Sequence, residues 1–297
     1  RPDAQGPQKA PAVSFPFLDR LGCPDCMGDL DVLEEQGELR CAGCRKAYAL
    51  KGDAIHFQSG GPGSFQQDKL SDQDDLITGV KVWIKRFPRL FSLFYWMSGA
   101  FVGTRARKAI SGLPQGALIV NIGAGAKRIQ DGVINLDYYA FSDVSLVADA
   151  YHLPFKDGAV DAVIAESLLE HLSDPARAVR EMTRVLRPGG LVYIVTPFLL
   201  GYHSSPNDYW RWTSFGLREL LKDYEEAEAG TAFGPTCSLN SMLSSWLGLV
   251  LSLGSRNLQQ VWSMLINFLL APLSVLDFLL ARHPAAEDMA PIDDLRS

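Results

Sequence analysis

The chain has 297 residues, of which 47% are hydrophobic and 21% charged, and its formal net charge is −6 at pH 7. This length and composition are enough to bury the cores of one large domain and one small domain. The acidic balance argues against a protein whose main role is to coat nucleic acid. Residues 1–17 are rich in Pro, Gln and Ala and have no apolar run, so we expect a disordered linker without a signal peptide there.

Four of the five cysteines form two C-x-x-C pairs near the start of the chain. The pairs are separated by 14 residues and consist of Cys23, Cys26, Cys41 and Cys44. This spacing is typical of a zinc ribbon with a closed four-thiolate site, and a redox pair is the alternative. A segment of about 40 residues buries too little apolar surface to fold alone, so we expect structural Zn²⁺ to stabilise residues 18–57.

A polar, glycine-rich linker is predicted for residues 58–75, and from residue 117 to residue 198 apolar strand-like runs alternate with helical segments. The best-marked helix has Ser173 or Asp174 as its cap and Pro175 in its first turn. Apolar residues then recur at helical spacing, at Ala176, Val179, Met182 and Leu186. The alternation predicts an α/β fold with a doubly wound, mostly parallel sheet.

A glycine-rich turn follows the first strand of this region, in the stretch VNIGAGAKRIQDGVINLDYY. Gly123 and Gly125 fit the start of a dinucleotide fingerprint, but Arg128 occupies the place of its third glycine. Asp137 also comes sooner than the acid that this fingerprint requires. The pattern therefore disfavours NAD and indicates another nucleotide ligand.

The order of strand, glycine turn and acid continues with "ADAYHLPF" around Asp149 and with the stretch from "AVDAVIAESLLEHL" to "LVYIVTPF". Taken together, these motifs resemble class I S-adenosylmethionine-dependent methyltransferases of the type 11 kind. The resemblance covers about residues 76–240 and implies a Rossmann-like methyltransferase domain over residues 76–238. It implies that the cofactor is held by Asn121, Gly123, Gly125, Asp137, Asp149, Ala150 and Glu166.

The resemblance also assigns roles to these residues. The two glycines let the backbone approach the methionine carboxylate and the ribose. Asp137 is placed to accept hydrogen bonds from the ribose hydroxyls, and Asp149 from the adenine amino group. Two positions depart from the family pattern, because Asn121 replaces the usual acid and Lys127 replaces a frequent third glycine. We expect these departures to weaken cofactor binding.

Candidate catalytic groups lie after the fourth and fifth strands, where open α/β sheets bind their ligands. His203 is the preferred general base because it follows the fifth strand in a polar, aromatic-lined loop. His171 is the second candidate, and both histidines have a purely structural alternative. Trp210 and Trp212 either stack on the acceptor or pack against the sheet edge.

The ribbon is similar to the small zinc-ribbon activator of tRNA and rRNA methyltransferases, and to the ribbon that heads bacterial rRNA guanine methyltransferases. Many other bacterial methyltransferases carry such a head, so the ribbon alone does not indicate RNA. Between Asp75 and Asp131 the chain has no acid and nine bases. Residues 81–102 interleave bases with aromatics and are interpreted as a cap on the cofactor cleft, a membrane surface contact or an RNA groove.

An apolar helical extension is predicted for residues 239–283. Only Arg256 and Asp277 are charged before residue 282, but Asn267 and Pro272 also interrupt the second apolar run, which argues against a spanning helix. We expect these helices to pack against the domain, against a second subunit in a homodimer, or on a bilayer surface. Residues 284–297 form an acidic tail whose "IDDLRS" is a poor candidate for the family's last strand.

The sequence therefore predicts a zinc-ribbon-headed methyltransferase that acts on a small, lipophilic acceptor. The expected location is the cytoplasm, with peripheral contact to the inner face of the membrane through residues 81–102 and 239–281. One alternative is an RNA base methyltransferase, which the basic stretch favours. The other is a non-catalytic adaptor in which Asn121 and Lys127 mark a decayed cofactor site.

Overall fold

The computed structural model describes residues 15–57, 105–202, 207–280 and 282–283, together with the backbone of residues 292–293. Within these ranges the strands are β1 (Leu30–Leu33), β2 (Glu38–Cys41), β3 (Ala47–Lys51), β4 (Ala54–His56), β5 (Ile119–Ile122), β6 (Val133–Asp137), β7 (Leu146–Val147), β8 (Val160–Glu166), β9 (Leu186–Val195), β10 (Gly230–Thr231) and β11 (Ile292–Asp293). The α-helices are α1 (Ala106–Ala109), α2 (Pro175–Val185), α3 (Ser214–Leu220), α4 (Pro235–Val250), α5 (Arg256–Leu270) and α6 (Asp277–Leu280). Residues 81–102 and His203 lie outside the described ranges.

All of these strands belong to one sheet, in the order β1-β2-β3-β4-β7-β6-β5-β8-β9-β11-β10. Within the central run β4-β7-β6-β5-β8-β9 each adjacent pair of strands is parallel, whereas β1 to β4 form an antiparallel meander. Strand β5 is buried along its whole length, as expected for a parallel strand covered on both faces. The predicted mostly parallel α/β sheet is confirmed.

The helix between β8 and β9 shows how local sequence determines these elements. Asp174 caps α2, because its side chain accepts a hydrogen bond from the Arg177 N–H at 3.1 Å, and Pro175 occupies the first turn. Val179 and Met182 are buried on one face of the helix. The helix stops at Val185, and Leu186 takes an extended conformation that starts β9.

The cysteine-rich segment continues the sheet instead of forming a separate body. Strand β4 pairs in parallel with β7, where Ile55 lies opposite Leu146. Leu21 forms a bridge with Phe155, and both side chains are buried in the core cluster that the segment shares with the sheet. The segment therefore covers the edge of the sheet that β7 would otherwise expose.

At the other edge, β11 pairs antiparallel with both β9 and β10. The tail expected to lack a good strand thus supplies a short one at Ile292–Asp293, held between two neighbours. Helices α4 and α5 lie between β10 and β11 in the chain and pack against each other as a hairpin. In the described part of the chain, Arg256–Leu280 is the one helical segment long and apolar enough to cross a membrane.

Candidate functional site

A cleft opens at the carboxyl ends of β5, β6 and β8 and holds about 780 Å³, counting the solvent at its mouth. Its walls are formed by Ile122, Gly123, Gly125, Leu136, Asp137, Tyr138, Tyr139, Phe141, Ala148, Asp149, Ala150, Ser167, Leu168, His171 and Leu172. Six of the residues predicted from the sequence meet here: Gly123, Gly125, Asp137, Asp149, Ala150 and His171.

The glycine turn forms the floor of the cleft and requires glycine for two reasons. Gly123 has a φ of +71°, and a Cβ added there would lie 2.9 Å from Leu168 Cδ1. Gly125 has a φ of +56°, which also favours glycine. The turn therefore presents bare backbone to the cleft, where a side chain would fill it.

Two carboxylates line the cleft together with this turn. Asp137, 8% exposed, accepts hydrogen bonds from the Gly125 N–H at 2.7 Å and the Tyr139 N–H at 2.8 Å. Asp149 accepts one from the Tyr151 N–H at 2.9 Å. These bonds fix both side chains, and a carboxylate has about four acceptor positions, so each can still receive hydroxyl or amino donors from a ligand.

Asn121 and Glu166 were predicted to bind the cofactor, but the structure does not place them in the wall of the cleft. Asn121 is 3% exposed and its side-chain amide donates to Asn135 Oδ1 at 3.1 Å. Glu166 forms an ion pair with Lys127 beside the turn. Asn121 therefore joins β5 to β6 inside the sheet. The positive charge of Lys127 is neutralised by Glu166, the last residue of β8.

His171 lies where the loops after β8 and β9 meet. Its Nδ1 lies 2.6 Å from the carbonyl oxygen of Asn207. Because a carbonyl only accepts, Nδ1 donates, and in the neutral ring Nε2 then carries the lone pair. Nε2 lies 3.8 Å from the buried Glu170 carboxylate. His203, the preferred base, lies outside the described residues.

The segment after β9 is tied down around His171. Arg211 forms an ion pair with Asp208, with Nη2 2.6 Å from Oδ2, and donates to the Gly201 carbonyl at 2.9 Å. Asp208 raises the pKa of Arg211 above its usual value. Trp210 donates to the carbonyl of Leu172, a residue of the cleft wall, at 2.8 Å.

Sequence reasoning missed the aromatic wall formed by Tyr138, Tyr139 and Phe141. These rings contact one another, with centroids 5.4 Å apart for the two tyrosines. The signal was available, since "YY" directly follows Asp137 in the sequence. Ser167 was also missed, and its φ of +53° marks a strained turn at the end of β8.

A second candidate site lies in the cysteine-rich segment. The four thiol sulfurs of Cys23, Cys26, Cys41 and Cys44 lie within 4.8 Å of one another. Neighbouring sulfurs are 3.4 and 3.6 Å apart, close to the ~3.8 Å edge of a tetrahedron with ~2.3 Å zinc–sulfur bonds. Hydrogen bonds from the Gly28 N–H first, and then from the Cys41 and Cys44 thiols, lower the pKa of Cys26 to about 7, because they stabilise the thiolate. The cluster can hold a metal ion.

Comparison with known proteins agrees with this geometry. Residues 126–194 match the family model described as a methyltransferase domain. The chain carries a class I methyltransferase domain. A probable S-adenosylmethionine-dependent methyltransferase of Mycobacterium tuberculosis is 41% identical over 76 residues, which are 26% of this chain and 27% of that protein.

The relatives of the methyltransferase domain match it over part of their length. An uncharacterized 37.1 kDa protein in a transposon of Streptomyces fradiae is 33% identical over 99 residues, which are 33% of this chain and 27% of that protein. The chain thus spans 27% of the length of both of these curated relatives. The solved complex between the Haloferax volcanii Trm112 methyltransferase activator and a methyltransferase is 24% identical, covers 43% of this chain and 70% of that chain, and has a TM-score of 0.34, too low to add to the assignment.

Proposed function

We propose that the methyltransferase domain binds S-adenosylmethionine in the cleft and transfers its methyl group to a small, lipophilic acceptor. The observation that carries this proposal is the bare glycine turn under the Asp137 carboxylate. The Gly123–Gly125 backbone suits the methionine and ribose portions of the cofactor, and Asp137 suits the two ribose hydroxyls. Asp149 and Ala150, with the aromatic wall, suit the adenine.

The fit extends to the residues that depart from the family pattern. Lys127 is paired with Glu166, so it brings no isolated positive charge against a cationic sulfonium. The amide of Asn121 is engaged with Asn135, so its replacement of an acid removes a charge from the strand without leaving an unsatisfied polar group in the cleft. The proposed cofactor contacts need neither side chain, which supports an active methyltransferase over the non-catalytic adaptor.

When bound, the cofactor supplies a methyl group activated by a sulfonium centre. The protein must then hold the acceptor in line, exclude water and take up a proton where the acceptor releases one. We propose His171 Nε2 or His203 for that proton. Asn207 orients the His171 ring through Nδ1, so Nε2 is the nitrogen that would take up the proton in the neutral ring.

The lipophilic acceptor is proposed because apolar helices adjoin the loop after β9. A Cβ added to Gly201 would lie 3.7 Å from Ser245 Oγ on α4. An acceptor that enters beside this loop would meet the apolar hairpin before it meets the cleft. Two described bases near the cleft are paired, since Arg128 binds Asp131 and Lys127 binds Glu166. Their charges are therefore less available to bind the phosphates of an RNA.

We also infer that the four cysteines hold structural Zn²⁺, since four thiolates leave no open position for catalysis. Thiolate ligands of this kind persist in a reducing compartment, so we place the protein in the cytoplasm. Residues 18–57 are proposed as the ribbon and residues 76–238 as the methyltransferase domain.

The first experiment is calorimetric titration of the full chain with S-adenosylhomocysteine. We expect micromolar binding, and Asp137→Ala should weaken it by about tenfold to a hundredfold, because hydrogen bonds to a charged group contribute about 1.5–3 kcal/mol. Asp131→Ala removes an exposed carboxylate paired with Arg128 and is the matched control. No binding by a folded, zinc-loaded wild-type chain would favour the adaptor instead.

The acceptor class is tested with methyl-labelled cofactor. The chain is incubated separately with a total bacterial lipid extract and with total bacterial RNA. We expect label in the lipid extract only, and His171→Ala should reduce the label while the affinity for S-adenosylhomocysteine stays within about twofold of wild type. Label in RNA alone would replace the lipophilic acceptor with a base in RNA.

A further inference from the structure

The hairpin formed by α4, α5 and α6 (Pro235–Leu280) has the reverse polarity of a soluble helical pair. The polar side chains buried in this region are those of Thr236, Ser238, Asn240, Ser244, Ser252, Ser274 and Asp277. Helix α5 has no fully buried residue. Of the most apolar 18-residue stretch within Arg256–Leu280, 11% is buried in the protein. The polar groups therefore face inward, where a soluble protein would place Leu and Val.

These inward polar groups hold the two arms together. Asn267 donates to Ser244 Oγ at 3.4 Å, and Asn240 donates to the Leu270 carbonyl at 3.0 Å. At Gly248 the arms come so close that an added Cβ would lie 2.1 Å from Ser263 Oγ. Close approach at small residues, with hydrogen bonds between the helices, is the packing used by helices surrounded by lipid.

The outward surface is apolar on both arms and at the tip. Leu249 on α4 is 64% exposed, Leu269 on α5 is 73% exposed, and Leu253 at the tip is 90% exposed. Such a surface exceeds the scattered exposed Leu residues that are normal for a soluble protein. Because it covers both arms and the tip, a single flat partner surface, including a second copy of the chain, would leave much of it in water.

The charges of the hairpin lie only at its ends. Asp277 is at the base, where it accepts from the Thr236 N–H at 2.7 Å and the Cys237 N–H at 2.9 Å, and Arg256 is at the tip. Helix α4 has 16 residues and is about 24 Å long, so base and tip are separated by nearly the ~30 Å hydrocarbon thickness of a bilayer. No charged residue therefore lies between the base and the tip, as a hydrocarbon layer requires.

We propose that the hairpin inserts tip-first into a lipid bilayer, with its base and the methyltransferase domain at one surface. The inference goes beyond methyl transfer, because it stands whether or not the cleft binds a cofactor. It also brings the loop after β9 to the membrane, since a Cβ added to Gly201 would lie 3.7 Å from Ser245 Oγ on α4. A lipophilic acceptor would then be taken from the bilayer itself.

The test uses the purified full chain and vesicles of neutral phosphatidylcholine, which offer no net charge to the bases of the protein. We expect the chain to float with the vesicles in a density gradient, equally at low and high salt, because insertion is hydrophobic. A monomeric chain that stays at the bottom of the gradient would overturn the proposal. A stable dimer that does not float would identify a second copy as the occupant.

The double variant Leu249→Asp and Leu269→Asp places two carboxylates on the outward face without touching the polar seam. We expect its vesicle partition coefficient to fall by at least about a hundredfold, given the cost of Asp in hydrocarbon. Phe215→Asp is the matched control, since this ring on α3 is 81% exposed and lies outside the hairpin, so it should float like wild type. Equal flotation of all three chains would contradict insertion through the hairpin.

Depth is measured by fluorescence quenching with lipids brominated near the headgroup or near the bilayer centre. Trp246 is 59% exposed on α4 and lies between base and tip. We expect deep bromines to quench more strongly than shallow ones, and Trp246→Phe to lose most of that difference. Quenching by shallow bromines alone would show adsorption on the surface and would rule out insertion. Calorimetry on the same variants separates this result from any failure of cofactor binding.

Discussion

Glu181 shows how one side chain on α2 holds the loop that carries Asp149. Its carboxylate accepts from the Leu153 N–H at 2.9 Å and from Arg184 at 2.8 Å. Arg184 in turn donates to the carbonyls of Leu153 and Phe155. Burial favours the neutral acid, but these hydrogen bonds outweigh it, so the pKa of Glu181 lies below its usual value.

Replacement of Glu181 by Gln should destabilise the protein by about 1.5–3 kcal/mol at pH 7, because it removes a charged hydrogen-bond acceptor. Since the folded-state pKa is lowered, the stabilisation is present above the usual pKa of 4.5 and is lost as the pH falls through the folded value. Urea unfolding at pH 7 and below pH 4 measures the difference. Glu219→Gln, which removes an exposed carboxylate paired with Lys222, is the control. A gap between wild type and Glu181→Gln that is unchanged in acid would contradict this assignment.

At the residue scale, sequence predicted what depends on local backbone and missed what depends on distant partners. Gly123, Gly125 and Asp137 could be found because their roles follow from one turn and the strand after it. The partner of Asn121 could not, because Asn135 lies on the neighbouring strand and only the sheet register brings the two amides together.

At the scale of elements, the cysteine-rich segment is the clearest case. The spacing of its cysteines predicted a compact metal-binding unit, and the sulfur cluster agrees with it. Nothing in the local pattern predicted that β4 would pair with β7, because that pairing joins residues far apart in the chain. The same limit applies to β11, whose two residues become a strand only between β9 and β10.

Removal of the metal should therefore affect the sheet as well as the cysteine-rich segment. A structural zinc contributes on the order of 10 kcal/mol to the folding of such a segment. We expect a chelator, or Cys26→Ser, to open residues 18–57 to protease and to expose the β7 edge, which lowers the midpoint of thermal unfolding. Cys237→Ser is the control, since this cysteine lies outside the cluster. Proteolysis indifferent to chelator would rule out a structural metal.

At the scale of the whole molecule, the hairpin is an insertion between two strands of a complete sheet. Its ends meet at its base, where Asp277 binds the backbone N–H groups of Thr236 and Cys237. The sequence revealed the apolar composition of this segment but not its polar interior, because helix pairing decides which side chains face inward. The domain and the hairpin should therefore behave as separable units.

Replacement of residues 235–280 by a short Gly-Ser linker tests this separation. We expect the shortened chain to keep its affinity for S-adenosylhomocysteine within about threefold and to lose vesicle flotation, because none of the cleft residues lies in the hairpin. Circular dichroism confirms that the sheet is intact, and calorimetry gives the affinity. A folded chain without cofactor binding would show that the hairpin shapes the cleft.

The pairing of β4 with β7 also has a consequence for the order of events during synthesis. Ile55 pairs with Leu146, which leaves the ribosome 91 residues later. If the nascent chain has already bound its metal, β4 is folded and can pair with β7 as soon as β7 emerges. Without the metal, β4 is not yet folded and β7 has no strand to pair with. We expect the zinc supply at the moment of translation to affect the yield of native protein more than the zinc supply after folding does.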